Sequence, residues 1–357
     1  MRDYPDGLEP PETTPTSRAR VGDIARLAKV STATVDRVLN QRPGVRDATA
    51  QKVLKAAAEL DYLPDSNLYA ALAAQPMRLT FLLPDGSNRF IRMLGDTVGY
   101  SQEHVTPFNV KSRVELFESF NPHQLAATLL RLGQRCDGIA FMALEHPAVR
   151  EAVSTLADKG VPTITLISDL SGSRRAGYVG LDNRAAGRTA GYLVGRFIGP
   201  GRSGKVALIA GSLSYRAHEE REAGFLHVIE EMFPALEVVG LREGQDDAQK
   251  NYEQTRTLLE QHPDLAGIYN IGGASDGVAR ALKEMGREHK VVFIGHGLTP
   301  DTRAMLIDGS LDAVITQSPQ TAMMSCVRMF TNLRDKRDVM SGVDAVRSQV
   351  IFRENLP

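Results

Sequence analysis

Asp23-Ile24-Ala25-Arg26-Leu27-Ala28-Lys29-Val30-Ser31-Thr32-Ala33-Thr34-Val35-Asp36-Arg37-Val38-Leu39-Asn40 is the stretch that decides how the chain begins to fold. Val21, Ile24, Leu27 and Ala28 recur at helical spacing and predict a short amphipathic helix. Lys29-Val30 reads as a turn, and Ser31 is suited to cap a second helix over Thr32 to Leu39. In that helix Val35, Val38 and Leu39 face inward, while Thr32, Ala33, Asp36 and Arg37 face out. The loop from Asn40 to Gly44 ends it. A third helix, Asp47 to Leu60, turns Val53, Leu54, Ala57 and Leu60 inward and stops before Tyr62-Leu63-Pro64.

A two-helix unit with a tight turn presents the start of its second helix to the DNA major groove. There Arg37 can form a bidentate pair with guanine, and Thr32 and Ala33 suit a thymine methyl or a single hydrogen bond. Ser31, Thr34 and Asn40 are placed to bond phosphates, helped by the positive helix end. Charge agrees with this reading: residues 18–62 carry nine Lys and Arg against five Asp and Glu, although the whole chain has a net charge of −1. A basic end on an otherwise acidic protein suits a polyanion.

Working outward, residues 1–17 hold four prolines and no apolar periodicity and read as a disordered leader. The expected organisation is a headpiece over 18–63, a hinge over 64–77 and an effector-binding and dimerisation domain over 78–357. No window approaches the roughly 18 uninterrupted apolar residues of a membrane span. The first 20 residues lack the apolar core of a signal peptide, so a cytoplasmic protein is expected. Cys136 and Cys326 have neither CxxC spacing nor enough neighbours for a zinc site or a disulfide framework and read as reduced core residues. No metal or cofactor is expected.

From Leu79 onward β-rich runs alternate with helical stretches: LTFLLP (79–84), VKSRVELF (110–117), GIAFMA (138–143), PTITLIS (162–168), YVGLD (178–182), KVALIAG (205–211), EVVGL (237–241), GIYNIG (267–272), VVFIGH (291–296) and DAVITQ (312–317). This alternation predicts an α/β fold of parallel sheets covered by helices. One sheet of so many strands would be unusually wide, so two lobes are expected, the second starting near Asn183, with the chain crossing back near its end. Ligands of such sheets bind beyond the carboxyl ends of the strands. The residues there are polar: Asp85 to Phe90 (with Asn88 and Arg89), Glu145, Asp182-Asn183, Ser212, Tyr215 to Arg221, Asn270, His296 and Gln317. They are expected to converge on an interlobe cleft.

The quoted segment resembles, position by position, the headpiece signature of the lac-repressor family, D-[VI]-A-x-x-A-x-V-S-x-x-T-V-x-R-V-[LV]-N. The resemblance continues through Val45, Thr49, Val53, Leu60 and Tyr62-x-Pro64, and more loosely over the remaining chain. It implies a helix-turn-helix headpiece joined to a periplasmic sugar-binding-protein-like domain, in a repressor whose operator affinity a small sugar, polyol or sugar acid controls. Asp182-Asn183-x-x-Ala186-Gly187, Arg221-x-Ala223-Gly224-Phe225, Asn270 and Gln317 carry the second part of the match. Arg221 sits where the family grips effector hydroxyls or carboxylates; the alternative is a surface salt bridge with Glu219 or Glu222. Asn270 either contacts the ligand or caps its loop.

The chain departs from the family at four places. Asp36 replaces a small polar residue and either pairs with Arg37 or accepts from a cytosine amino group. Arg46 replaces the usual Ser cap and either meets a phosphate or is solvated. In the hinge the leucine wedge is shifted by one, to Leu72, which either enters the minor groove or packs on the effector domain. Gly297 stands where an acid would chelate sugar hydroxyls, so either the ligand lacks that diol or Asp301 or a water replaces the acid. Without tryptophan, a stacking platform must come from Phe90, Tyr215 or another Phe or Tyr.

An α/β enzyme is the first rival, but the Gly272-to-Gly277 run lacks the lysine of a P-loop and GxGxxG spacing, and the eight histidines do not cluster. A secreted solute-binding protein is the second, and the basic headpiece speaks against it. One headpiece reads only a half-site, so a homodimer is expected, and no heptad repeat follows to build a tetramer.

Overall fold

The computed structural model describes residues 19–40, 42, 44–45, 47–60, 62 and 75–357. The chain divides into Met1–Pro76 and Met77–Pro357. The leader, Arg46, Leu72 and almost all of the expected hinge lie outside the described residues.

The first unit contains α1 (Val21–Ala28), α2 (Thr32–Leu39) and α3 (Asp47–Glu59). Their core is Ile24, Ala25, Ala28, Val35, Val53, Ala56 and Ala57, with Val38, Leu39 and Leu60 packed around it. Leu27, expected inside, is exposed, and Ala25 takes the inward position beside Ile24 and Ala28 instead. Lys29 takes the left-handed conformation at φ 55°, which turns the chain sharply enough for α2 to cross α1.

The second unit has two sheets, in strand order β2-β1-β3-β4-β5 and β11-β10-β9-β8-β6-β7. The strands are β1 (Met77–Asp85), β2 (Val110–Glu118), β3 (Gly138–Phe141), β4 (Thr163–Leu166), β5 (Gly177–Val179), β6 (Gly204–Ala210), β7 (Leu236–Glu243), β8 (Leu265–Asn270), β9 (Val292–His296), β10 (Ala313–Thr316) and β11 (Gln349–Ile351). Each of the ten expected runs forms a strand. All pairs are parallel except β10 with β11. β11 was not foreseen: its three residues are a short edge addition without an apolar run.

The second lobe opens with the helix Asn183–Ile198, at the expected residue. After β10 the chain returns to the first lobe, where the helix Pro319–Arg334 buries Ala322, Met323, Cys326, Val327, Met329 and Phe330. It then crosses once more to add β11. Both cysteines are free and buried. No helix among the described residues is long and apolar enough to cross a membrane.

Helix Asn183–Ile198 packs on helix Arg216–Met232 at a distance that only glycine allows. A Cβ added at Gly187 would lie 2.0 Å from the Arg221 carbonyl oxygen, and one at Gly224 would lie 2.1 Å from that of Arg184. Both obstacles are backbone and cannot rotate away. Gly224→Ala should therefore cost about 1–3 kcal/mol, measured by urea denaturation; an unchanged midpoint would mean that the two helices separate freely.

Candidate functional site

In the headpiece the Ser31 side chain accepts from the Thr34 amide at 3.2 Å, capping α2 as its residue type predicts. Ser31 Oγ and Thr34 Oγ1 lie 2.9 Å apart and bond each other. Thr32, Ala33 and Arg37 are exposed on one side of α2, opposite the buried Val35. Asp36 does not pair with Arg37. Its carboxylate takes Arg42 Nη1 at 3.2 Å and Asn40 Nδ2 at 2.8 Å. Successive helix residues point about 100° apart, whereas residue i+4 and the loop beyond it lie within reach. Asn40, expected on a phosphate, thus has its amide committed to Asp36, and also to the Asp36 carbonyl at 3.0 Å. Sequence reasoning had not included Arg42 in this cluster; the signal was an acid one helical turn before an Asn and six residues before an Arg.

In the second unit, loops following β1, β8, β9 and β10 border a cavity of about 210 Å³ between the lobes, as the strand-end rule requires. Of the candidates, Asn88, Arg89, Phe90, Arg221, His296 and Gln317 line it. Asp85, Glu145 and Asp182 do not. Asp85 is exposed at the end of β1, and its carbonyl accepts from Ser119. Glu145 is held by Arg150 and by Ser171, whose amide donates to it at 3.0 Å. Asp182 caps helix Asn183–Ile198 by accepting from the Ala185 amide at 2.9 Å. These acids share a strand-end position with the lining residues, but Glu145 and Asp182 are consumed by local structure and Asp85 is turned to solvent.

Arg221 is buried rather than bridged to Glu219 or Glu222 at the surface. Nε donates to Asn183 Oδ1 at 2.8 Å and Nη1 to the Ile271 carbonyl at 2.9 Å. Asn183 is itself oriented by donating Nδ2 to the Tyr178 hydroxyl at 3.0 Å, which donates to the Leu181 carbonyl at 2.9 Å. A network from β5 of the first lobe thereby aims a guanidinium of the second. Asn270 lies behind the wall, where Nδ2 donates to the Gly273 carbonyl at 2.8 Å and to Ser275 Oγ at 2.9 Å; its Oδ1 is buried without a partner. It braces the loop. Gln317 Oε1 is likewise buried and unpartnered. His296 Nε2 and the Tyr269 hydroxyl share a hydrogen bond at 2.6 Å. Phe90 packs under the bare turn at Gly297, and Tyr215 lies beside an adjoining chamber of about 200 Å³, edge-on to Phe120.

Sequence reasoning missed Asp246. It follows β7, the outermost strand of its sheet, in a turn where Gln245 and Asp246 both have positive φ. Asn88 Nδ2 donates to its carboxylate at 2.9 Å across the cleft, the Gly273 amide donates at 2.7 Å, and Ser87 donates to its carbonyl. A second bridge, Arg89 to Asp301, also spans the lobes. The lobes are closed on each other through these contacts. His218, within the expected stretch Tyr215 to Arg221, also lines the cavity; its pKa is pushed down to about 4 by burial, and His296 lies well below its usual range through burial and the nearby Arg221 charge.

With this geometry established, comparison with known proteins is specific. Residues 21–65 match the bacterial regulatory proteins of the lacI family, and residues 121–338 match the periplasmic binding protein domain. The chain is 30% identical to the ribose operon repressor of Halalkalibacterium halodurans over 276 residues, 75% of this chain and 76% of that protein. It is 23% identical to catabolite control protein A of Priestia megaterium over 337 residues, 93% of this chain and 98% of that one. The solved glucose-galactose binding protein GanP of Geobacillus stearothermophilus superposes with a TM-score of 0.71 at 24% identity, covering 80% of this chain and all of that one. The chain belongs to the lacI family of bacterial regulatory proteins. Within it, this is a DNA-binding regulator controlled by a small-molecule effector.

The buried histidines make stability depend on pH. Their folded pKa values lie below the unfolded value of about 6.5, so below that pH the unfolded chain binds more protons than the folded one. Stability should be full above about pH 6.5 and fall by up to roughly 1.4 kcal/mol per pH unit for each histidine as pH drops toward 4. Urea titrations at stepped pH should show a shallower acid loss in His218→Gln than in the parent; identical slopes would remove His218 from the account.

Proposed function

We propose that this protein is a cytoplasmic, non-enzymatic repressor that binds a pseudo-palindromic operator as a homodimer, and that a small sugar-like effector in the interlobe cleft controls its operator affinity. One observation carries the effector half. A cavity about 210 Å³ in volume brings together a guanidinium donor, Arg221, and a buried acceptor without a partner among the described residues, Gln317 Oε1. A polyol offers donors and acceptors together and fits that pairing. The repressors and sugar-binding proteins to which the chain is similar support the same reading.

The effector can shift operator binding only by its differential affinity for the two functional states of the regulator. A thermal-shift screen against sugars, polyols and sugar acids tests the cleft, because a ligand at 100 times its dissociation constant stabilises by about 2.7 kcal/mol. A hit should alter operator affinity and weaken in Arg221→Ala; a hit undiminished by that substitution excludes the cleft.

On the DNA side, Arg37→Ala should lose about 1–3 kcal/mol of discrimination at one base pair per half-site. Asp36→Ala should release Arg42 and Asn40 and remove an acid from the DNA-facing side, raising affinity for all sequences and steepening the salt dependence by about one charge. Gel shifts over a salt series on specific and random DNA separate the two, and weaker binding by Asp36→Ala would assign Asp36 to direct base reading instead.

A further inference from the structure

Arg221 is the one permanently charged side chain that lines the cavity and is itself buried, among the described residues. Both of its protein partners, Asn183 Oδ1 and the Ile271 carbonyl, are neutral, and Nη2 has no hydrogen-bond partner among the described residues. The carboxylates around the cleft are committed or solvated. Asp301 takes Arg89, Asp246 takes Asn88 and the Gly273 amide, and Asp276 is exposed. The charges of Asp246 and Glu220 act on Arg221 from a distance, but neither carboxylate pairs with it and burial outweighs them; a desolvated guanidinium without an ion-pair partner favours a ligand that brings one.

A second feature of the same wall has the same sign. The helix Ser275–Glu284 begins at the cavity, whose lining includes Gly272 to Asp276. Its cap position is Ala274, in the left-handed conformation at φ 55° and without a side-chain acceptor for the first-turn amides. Such an end carries partial positive charge and unsatisfied N–H groups, which the exposed Asp276 of its first turn offsets only in part. The turn after β9 adds no acid, because Gly297 occupies it at φ 77°.

We propose that the effector carries an anionic group, a carboxylate or a phosphate, held by Arg221 and the uncapped start of helix Ser275–Glu284, while its hydroxyls meet Gln317. The inference rests on the cleft being the effector site and narrows the class of compound that fills it. The cavity of about 210 Å³ lies below the roughly 300–1,000 Å³ of pockets for drug-sized ligands. That size suits a single-ring or open-chain sugar acid or a sugar phosphate.

The experiment uses the full chain and matched probes: glucose with gluconate, glucuronate and glucose 6-phosphate; galactose with galactonate and galacturonate; and acetate and inorganic phosphate as bare anions at fixed ionic strength. Melting curves and titration calorimetry should find an acid or phosphate member bound in preference to its neutral parent. Arg221→Gln, with folding checked by its urea unfolding midpoint, should weaken that member on the order of ten- to a hundredfold. Probes that fit poorly still report the charge, since acetate or phosphate should raise the melting temperature of the parent more than that of Arg221→Gln. A neutral sugar bound as tightly as its acid, and sensitive to Arg221, overturns the anionic class and keeps the cleft. Anions that act equally on parent and variant, or on neither, overturn the proposal outright.

Discussion

The close approach of two helices, Asn183–Ile198 and Arg216–Met232, is the constraint on which the ligand chemistry depends. Gly187 lies against the Arg221 backbone and Gly224 against that of Arg184, so neither helix can withdraw without opening a void. That contact delivers a long cationic side chain to the interior of the second lobe, where Asn183, at the start of the partner helix, receives it. Tyr178 and the Leu181 carbonyl orient Asn183 in turn. The guanidinium is thus positioned by rigid elements rather than by a loop, which is what selective recognition of a small polar molecule requires.

Closure of the lobes rests on much softer interactions. The Arg89–Asp301 pair has side chains 58% and 31% exposed, and pairs of that kind contribute about 0–1 kcal/mol. The Asn88–Asp246 hydrogen bond is part-buried and of ordinary length at 2.9 Å. Fully buried Tyr215 packs the base of the second lobe into the core of the first, so the soft contacts are those across the mouth of the cleft, where a ligand of modest differential affinity can outweigh them.

The headpiece follows the opposite economy. Its core consists of a few residues, Ile24, Val35, Val53 and small alanines, and the exposed side of α2, where the proposed DNA contacts lie, carries Thr32, Asp36 and Arg37. An acid there would repel phosphates if left bare. Asp36 is instead neutralised within the chain by Arg42 and Asn40, so the residue that departs from the family pattern becomes a support for the loop after α2.

What the sequence alone determined is the part governed by local periodicity. The central strands were legible because parallel strands buried on both faces read as unbroken apolar runs, the edge strands β2 and β7 by their β-rich composition between helical stretches, and the headpiece helices because capping and amphipathic spacing are local rules. Arg221, Asn88, Arg89, Phe90, His296 and Gln317 were legible as cavity-lining positions because they follow strands or the helices after them. Tertiary structure decided the rest. Asp85, Glu145 and Asp182 stand at equivalent strand ends, yet Asp85 is exposed to solvent while Glu145 is taken by Arg150 and Asp182 by a helix cap, outcomes that no spacing encodes. Asp246 reaches the cleft only because closure brings Ser87 and Asn88, nearly 160 positions earlier, against its turn. The choice of Arg42 over Arg37 as partner of Asp36 likewise follows from where the loop folds back. Periodicity says which face of an element is buried; which polar groups meet there depends on contacts between residues far apart in the chain, and these exist only after the lobes have packed.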